Sequence, residues 1–370
     1  MRRLARPDCA EALFRILVEG LADRFEPRLC DEYAAIFSQI IESYLPAMRG
    51  HELVARYRRI RRPRFCDLDA KEVVVLSRVT LGADIAVTSV LLDAVKLRFP
   101  QARIILAGGA KSKELFSASW IGHLDVPYPR SGGVRERLTA WERLAAEIPP
   151  SALIVDPDSR LSQSGLLPLG DEGRYFFFES RSYGSAGDES LTELTGLWAA
   201  ATFGIEAARN VIFPEAEEIR WPSPFATVSL GVGGNPAKQL PPEFEAELMR
   251  LICSRFDRVI VDEGAGGEES ARVQNAIAGT NAIAWRGSFA RFASIIGAST
   301  LYAGYDSAGQ HAAASFGRPL LTLFKGSVSD RMFARWQPTG PGPKQVLKIN
   351  DAVAIEDVAS ALDRLALESS

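Results

Sequence analysis

In the stretch "YDSAGQH", Asp306, Ser307, Ala308, Gly309 and His311 stand between an apolar run and a helix-like segment. A helix that starts there exposes N–H groups without internal partners and a partial positive charge, so it can hold a phosphate. Ser307 would add a hydroxyl, and the small residues Ala308 and Gly309 let an anion reach the backbone. The same residues can do something plainer, with Asp306 or Ser307 capping the helix by accepting from its first N–H groups. Spacing alone leaves both uses open.

Three other stretches repeat the arrangement. In "TVSLGVGGNPAK", Gly233 and Gly234 follow an apolar run and Lys238 stands one turn further on. No GK[ST] follows and the GxGxxG spacing is missing, so neither a P-loop nor a dinucleotide fingerprint is present. In "VDEGAGGEE", Glu268 and Glu269 could accept hydrogen bonds from ribose hydroxyls, or could simply complement the dipole of the helix they open. In "LGADIAVT", Asp84 follows a loop with a glycine, where a carboxylate either caps the next helix or serves as a general base.

These residues need elements to place them. From Lys71 onward, short and nearly continuous apolar runs alternate with helix-like stretches: Val73–Leu76, Arg103–Gly109, Ala152–Asp156 and Arg174–Ser180. After the proline-rich "RWPSPF" the pattern restarts with Thr227–Gly234, Arg258–Gly264, Thr300–Asp306 and Pro319–Phe324. Strands buried on both faces read as such runs, and parallel strands need helical crossovers. The pattern predicts two successive doubly wound α/β domains, residues 71–220 and 221–345, with a C-terminal helix in 346–370. Ligands in such sheets bind beyond the carboxyl ends of the strands, which is where the four stretches fall.

Residues 1–70 read as a helical extension. Ala10, Leu13, Phe14, Leu17 and Leu21 recur at helical spacing, as do Tyr33, Ile36, Phe37 and Ile40, and Pro46 closes the second helix. Six arginines then fall between Arg56 and Arg64. Among them Arg58, Arg59, Arg61 and Arg62 are either a solvated face or a foot on an anionic membrane or phosphorylated acceptor.

The 370 residues carry a net charge of −3, which gives no general pull toward nucleic acid. Four scattered cysteines without a CxxC pair suit a reducing cytosol, and with only three histidines a metal centre is not expected. The basic N-terminus lacks the uninterrupted apolar region of a signal peptide, and no run is long enough to span a membrane. A cytoplasmic protein is expected, with peripheral contact at the inner membrane as an option.

Taken together, the loops resemble glycosyltransferase family nine, the bacterial lipopolysaccharide heptosyltransferases, over roughly residues 71–365. "LGADIAVT" is similar to the family's opening loop, with Asp84 and Thr88 in matching places. "IVDPDSRLSQSG" is similar to its middle segment, Lys238 to its lysine, "EGAGGEE" to its glycine-rich acidic loop, "DSAGQH" to its Asp-Ser/Thr-Gly-x-x-His and "RWQPTG" to its arginine-tryptophan turn. The resemblance implies a GT-B fold, two Rossmann-like domains facing a cleft. It also implies inverting, metal-independent transfer of a sugar, by default heptose from ADP-heptose, to a saccharide or glycolipid hydroxyl in lipopolysaccharide biosynthesis, without a cofactor. Asp84 would be the base. Gly233, Gly234, Lys238, Asp306, Ser307, Ala308, Gly309 and His311 would hold the donor, with Glu268 or Glu269 on the ribose. Ala83, inserted before Asp84, and Ala308, in place of a glycine, depart from the pattern. They leave open another nucleotide sugar used on a polysaccharide or protein, or a degenerate nucleotide-sugar-binding or assembly protein.

Overall fold

The computed structural model describes residues 13–14, 19–184, 187–232 and 235–368. The chain forms two compact units, one ending at Asn210 and rejoined by Val328–Arg335, the other made of Val211–Ser327 and the chain from Trp336 onward. The division falls ahead of "RWPSPF".

The first unit holds β1 (Glu72–Leu76), β2 (Arg103–Gly108), β3 (Ile121–Asp125), β4 (Leu153–Asp156) and β5 (Tyr175–Phe177), in the order β3-β2-β1-β4-β5. All pairings are parallel, with Val74 of β1 in register with Ile105 on one side and Ile154 on the other. Val73 to Leu76 are fully buried, which is why β1 reads as an unbroken apolar run.

The N-terminal helices are part of this unit's core. Tyr33, Phe37, Ile40 and Ile41 of the helix Pro27–Tyr44 pack in one cluster with Leu53 and Tyr57 of the helix Gly50–Ile60. Val74, Ile105, Trp141 and Ile154 belong to the same cluster. Residues from Pro27 onward are therefore continuous with the first α/β layer, not an appendage to it. Most of the helix expected before them lies outside the described residues, although Leu13 and Phe14 are buried in the same cluster.

The second unit holds β6 (Ala226–Ser229), β7 (Val259–Asp262), β8 (Ala282–Trp285), β9 (Leu301–Tyr305), β10 (Leu320–Lys325) and β11 (Lys344–Ile349), again all parallel. Their order is β11-β10-β9-β6-β7-β8. The last helix, Ile355–Glu368, buries Val358, Ala361, Leu362 and Leu365 in this unit's core. Among the described residues no helix is long and apolar enough to cross a membrane.

Candidate active site

In the second sheet the chain runs outward from β6 through β7 to β8, then returns to β9 and runs the other way. The loops leaving β6 and β9 therefore diverge and open a crevice at the carboxyl ends of these neighbours. Lys238 ends the 3₁₀ turn Pro236–Lys238 after β6, and its Nζ reaches across to Asp306 after β9, 2.6 Å from Oδ2 and 3.0 Å from the backbone oxygen. The other Asp306 oxygen accepts from Gln310 Nε2 at 2.7 Å. Burial raises the Asp306 pKa against the pull of Lys238. The ion pair fixes an ammonium beside the start of the helix Ala308–Ser315. Ser307 caps that helix, but its Oγ accepts from Gly309 N only at 3.4 Å, so the N–H is barely engaged.

His311 stands apart from this chemistry. It is enclosed against Trp336, with ring centroids 5.9 Å apart, and burial together with Lys238 pushes its pKa down to about 3. A neutral, packed imidazole supplies no positive charge to an anion. Glu268 and Glu269 open the helix Gly267–Ile277 and point to different places. Glu269 Oε2 accepts from Ala265 N at 3.0 Å, and a Cβ added to Gly231 on the β6 loop would lie 2.9 Å from Glu269 Oε1. Glu268 instead lines a groove with Glu243, Glu245 and Arg272. Of the two, Glu269 borders the β6 loop. Gly233 and Gly234 lie outside the described residues.

The first sheet reverses between β1 and β4, and Asp84 lies close to that point. The helical turn Leu81–Ala83 runs into a π-helical turn, Asp84–Thr88, and then into the α-helix Ser89–Arg98. A π turn is how a helix absorbs one extra residue, and here it follows directly on Ala83 without breaking the helix. Asp84 is fully buried. Its Oδ1 accepts from Arg78 N at 2.6 Å and Thr88 Oγ1 at 2.8 Å, and its Oδ2 from Ser77 Oγ at 2.8 Å and Ser112 Oγ at 3.0 Å. Burial raises its pKa, and these four donors pull against the rise. Ser112 and Ser77 also lie 3.0 Å apart, so either hydroxyl has another partner if it leaves the carboxylate. Asp84 and Ser112 line a pocket of about 310 Å³ with Val79, Lys111, Tyr128 and Arg130.

Around this point lies a charge cluster that sequence reading missed. Asp158, after β4, pairs with Arg181 at 2.8 Å and accepts from Ser180 Oγ at 3.2 Å, while Arg78, after β1, donates to Ser180. Asp156 accepts from Ser159 N at 2.7 Å, Ser162 Oγ at 2.5 Å and the Tyr175 hydroxyl, and burial raises its pKa to about 6. Val79, Asp158, Gln163 and Ser164 have φ of 57, 66, 50 and 56°. Left-handed backbone at four non-glycine residues, one of them β-branched, is strain concentrated at the strand ends. The segment "IVDPDSRLSQSG" was the available signal; Arg78 and Arg181 gave none.

The arginine run is largely spent inside the first unit. Arg59 holds Glu172 at 2.8 and 3.1 Å, and Arg61 holds Glu179 at 2.6 and 3.1 Å together with Asp31. Arg56 donates to Gly165 O at 2.5 Å, and Arg64 to the carbonyls of Glu172 and Gly173 at 2.9 and 2.8 Å. Only Arg58 and Arg62 face solvent without a partner among the described residues.

No family model and no curated protein matches the sequence. Solved structures do match the fold. A glycosyl transferase of family 9 from Veillonella parvula superposes with a TM-score of 0.63 at 16% identity, covering 82% of this chain and 99% of that one. The E. coli heptosyltransferase WaaC with ADP gives 0.55 at 15% identity, over 81% and 100%. The E. coli ADP-heptose LPS heptosyltransferase II gives 0.54 at 18% identity, over 80% and 98%. Two parallel sheets, each with its own reversal point, and these superpositions establish that the chain has the two-domain GT-B fold of glycosyltransferase family nine structures.

Proposed function

We propose that the chain is an inverting glycosyltransferase that moves a sugar from a nucleoside diphosphate donor to an acceptor hydroxyl. The observation that carries this is Lys238, held by Asp306 beside the weakly capped start of the helix Ala308–Ser315 at a sheet reversal. An ammonium and free helix N–H groups are what a departing diphosphate needs, because they neutralise the charge that grows as the bond to the sugar breaks. Glu269 is the residue for the ribose. ADP-heptose is the first donor to test, since the similar structures include a heptosyltransferase with ADP and an ADP-heptose LPS heptosyltransferase. A saccharide or lipopolysaccharide-type acceptor is the matching first choice.

Asp84 is the base in this reading. The acceptor hydroxyl takes the place of Ser112 Oγ on Asp84 Oδ2, and Ser112 turns to Ser77. The acceptor proton passes to the carboxylate, its oxygen attacks the anomeric carbon from the face opposite the diphosphate, and the nucleoside diphosphate leaves. A carboxyl whose pKa is raised is the stronger base, and burial supplies the rise. The full enclosure of Asp84 favours a second reading, a nucleotide-sugar-binding protein without transfer.

The deciding experiment incubates the chain with a panel of nucleotide sugars and measures binding, donor hydrolysis and transfer separately. Turnover of any donor supports the transferase. Tight binding with no turnover, in a wild-type chain supplied with varied acceptors, supports the second reading. Failure to bind every donor rejects both.

A further inference from the structure

Tyr302 on β9 is fully enclosed, and among the described residues its hydroxyl meets no partner in hydrogen-bond geometry. The hydroxyl lies under the first turn of the helix Ala308–Ser315. A Cβ added to Gly309 would come within 2.2 Å of it, and one added to Gly304 within 2.6 Å. Neither glycine has a left-handed φ: at 309 the tyrosine demands glycine, and at 304 the tyrosine and the Ser229 carbonyl oxygen, also 2.6 Å away, demand it together. This accounts for a glycine at 309 beside Ala308, where the family pattern has its glycine. The hydroxyls of Ser307 and Ser229 lie close enough to pull its pKa down against burial, but neither is placed in hydrogen-bond geometry. A phenylalanine would fill this space without leaving a buried donor unpaired, a state that costs about as much as a lost hydrogen bond.

We infer that Tyr302 is a positioning residue for the anion site: on diphosphate binding its hydroxyl donates to Ser307 Oγ. Ser307 Oγ now accepts weakly from Gly309 N, at 3.4 Å. Handing that acceptor to Tyr302 frees the Gly309 N–H for a phosphate oxygen. It also leaves the Ser307 proton to point at the phosphate. The anion gains two donors and the buried hydroxyl gains its missing partner. Burial raises the Tyr302 pKa, so the group remains a donor at every working pH. The inference rests on the reading of this loop as the donor-phosphate site and adds a residue to it.

Calorimetric titration of the full chain with ADP, and separately with inorganic pyrophosphate, tests it. Tyr302→Phe keeps the ring and should weaken both ligands about five- to tenfold, the worth of one hydrogen bond. Ser307→Ala should weaken them at least as much. The double variant should bind no worse than Ser307→Ala, because Tyr302 acts through Ser307. Wild-type affinity in Tyr302→Phe, whatever its melting temperature, would show a purely structural tyrosine and overturn the inference. Losses that add in the double variant would overturn it too. If the wild-type chain binds neither ligand, the donor-site reading itself falls and takes this inference with it, an outcome distinct from the other two.

Discussion

Asp84 and Asp156 in the first unit and Asp306 in the second are all buried, but they are held in opposite ways. In the first unit, Asp84 and Asp156 are enclosed by neutral donors, four on one and three on the other, with hydroxyls making up most of them. In the second, Asp306 holds a lysine, and the loop around it leaves polar groups underused: a 3.4 Å cap and an unpaired tyrosine. The carboxylates of Asp84 and Asp156 are saturated, whereas the loop around Asp306 keeps unmet hydrogen-bonding capacity. A preorganised base needs the first environment, where reorganisation is small, and an anion site needs the second, where donors wait for a ligand.

The largest expected effect breaks the comparison at its centre. Asp84→Asn should lower turnover about 10²–10⁴-fold, the usual worth of a positioned base, while donor affinity stays unchanged. The wild-type rate should fall as pH drops through the carboxyl pKa, which burial places above the ordinary aspartate value. Transfer by Asp84→Asn at near wild-type rate would mean that the saturated cluster is scaffolding only.

Asp156 sharpens the same contrast through stability. Its folded pKa, about 6, is above its unfolded value, so its stabilising contribution is complete below the unfolded pKa near 3.8 and is lost as pH rises through about 6. A shift of this size is worth on the order of 3 kcal/mol between those limits. Urea unfolding of the first unit from pH 4 to 7 should show a fall in stability that Asp156→Asn flattens. Parallel curves for variant and wild type would show that Asp156 does not titrate in that window.

Lys238 tests the other side. Lys238→Ala should weaken nucleoside diphosphate binding by about 1.5–3 kcal/mol, the range for hydrogen bonds to charged groups. Since the lysine and helix N–H groups do a cation's work in this reading, transfer should persist in EDTA. Activity lost in chelator and restored by magnesium would reject that division of labour.

How much of this was legible depended on where a strand sits. β1, β2, β4, β6, β7, β9 and β10 stand out in the sequence as apolar runs, and so does β5 through "YFFF". β3 and β11 do not, and β8, "AIAW", is apolar but short and half exposed; all three are sheet edges. β3 and β11 are half exposed and carry polar or charged residues, as in "KQVLKI", so their runs are broken, whereas β5 is an edge that is fully buried and keeps its run. The second unit's candidate site was singled out because its glycine, lysine and helix-start residues gather at strand ends, although spacing alone left helix capping open. The first unit's cluster was not, because Arg78 and Arg181 gain meaning only when distant segments meet. Tyr302 was hidden for a simpler reason, since a tyrosine inside a strand reads as core. The helical extension misled because its apolar spacing is the same whether it packs on its own neighbour or on a sheet.

The smallest expected effect concerns the arginine run, where pairing divides residues that composition cannot. Arg61→Ser would leave Glu179, 6% exposed, with Ser182 as its remaining partner, and should cost about 1–3 kcal/mol, the range for a buried polar group that loses a partner. Arg58→Ser with Arg62→Ser touches no described partner and should change stability by no more than about 0.5 kcal/mol. That pairing leaves two of the four arginines for a membrane foot, each worth on the order of 1 kcal/mol near an anionic surface. Two such contacts are too few for stable attachment at physiological salt, where screening acts within about 8 Å. Co-sedimentation with phosphatidylserine vesicles at low salt should show weak binding that the double variant removes. Firm binding at physiological salt that survives the double variant would place the membrane contact elsewhere on the chain.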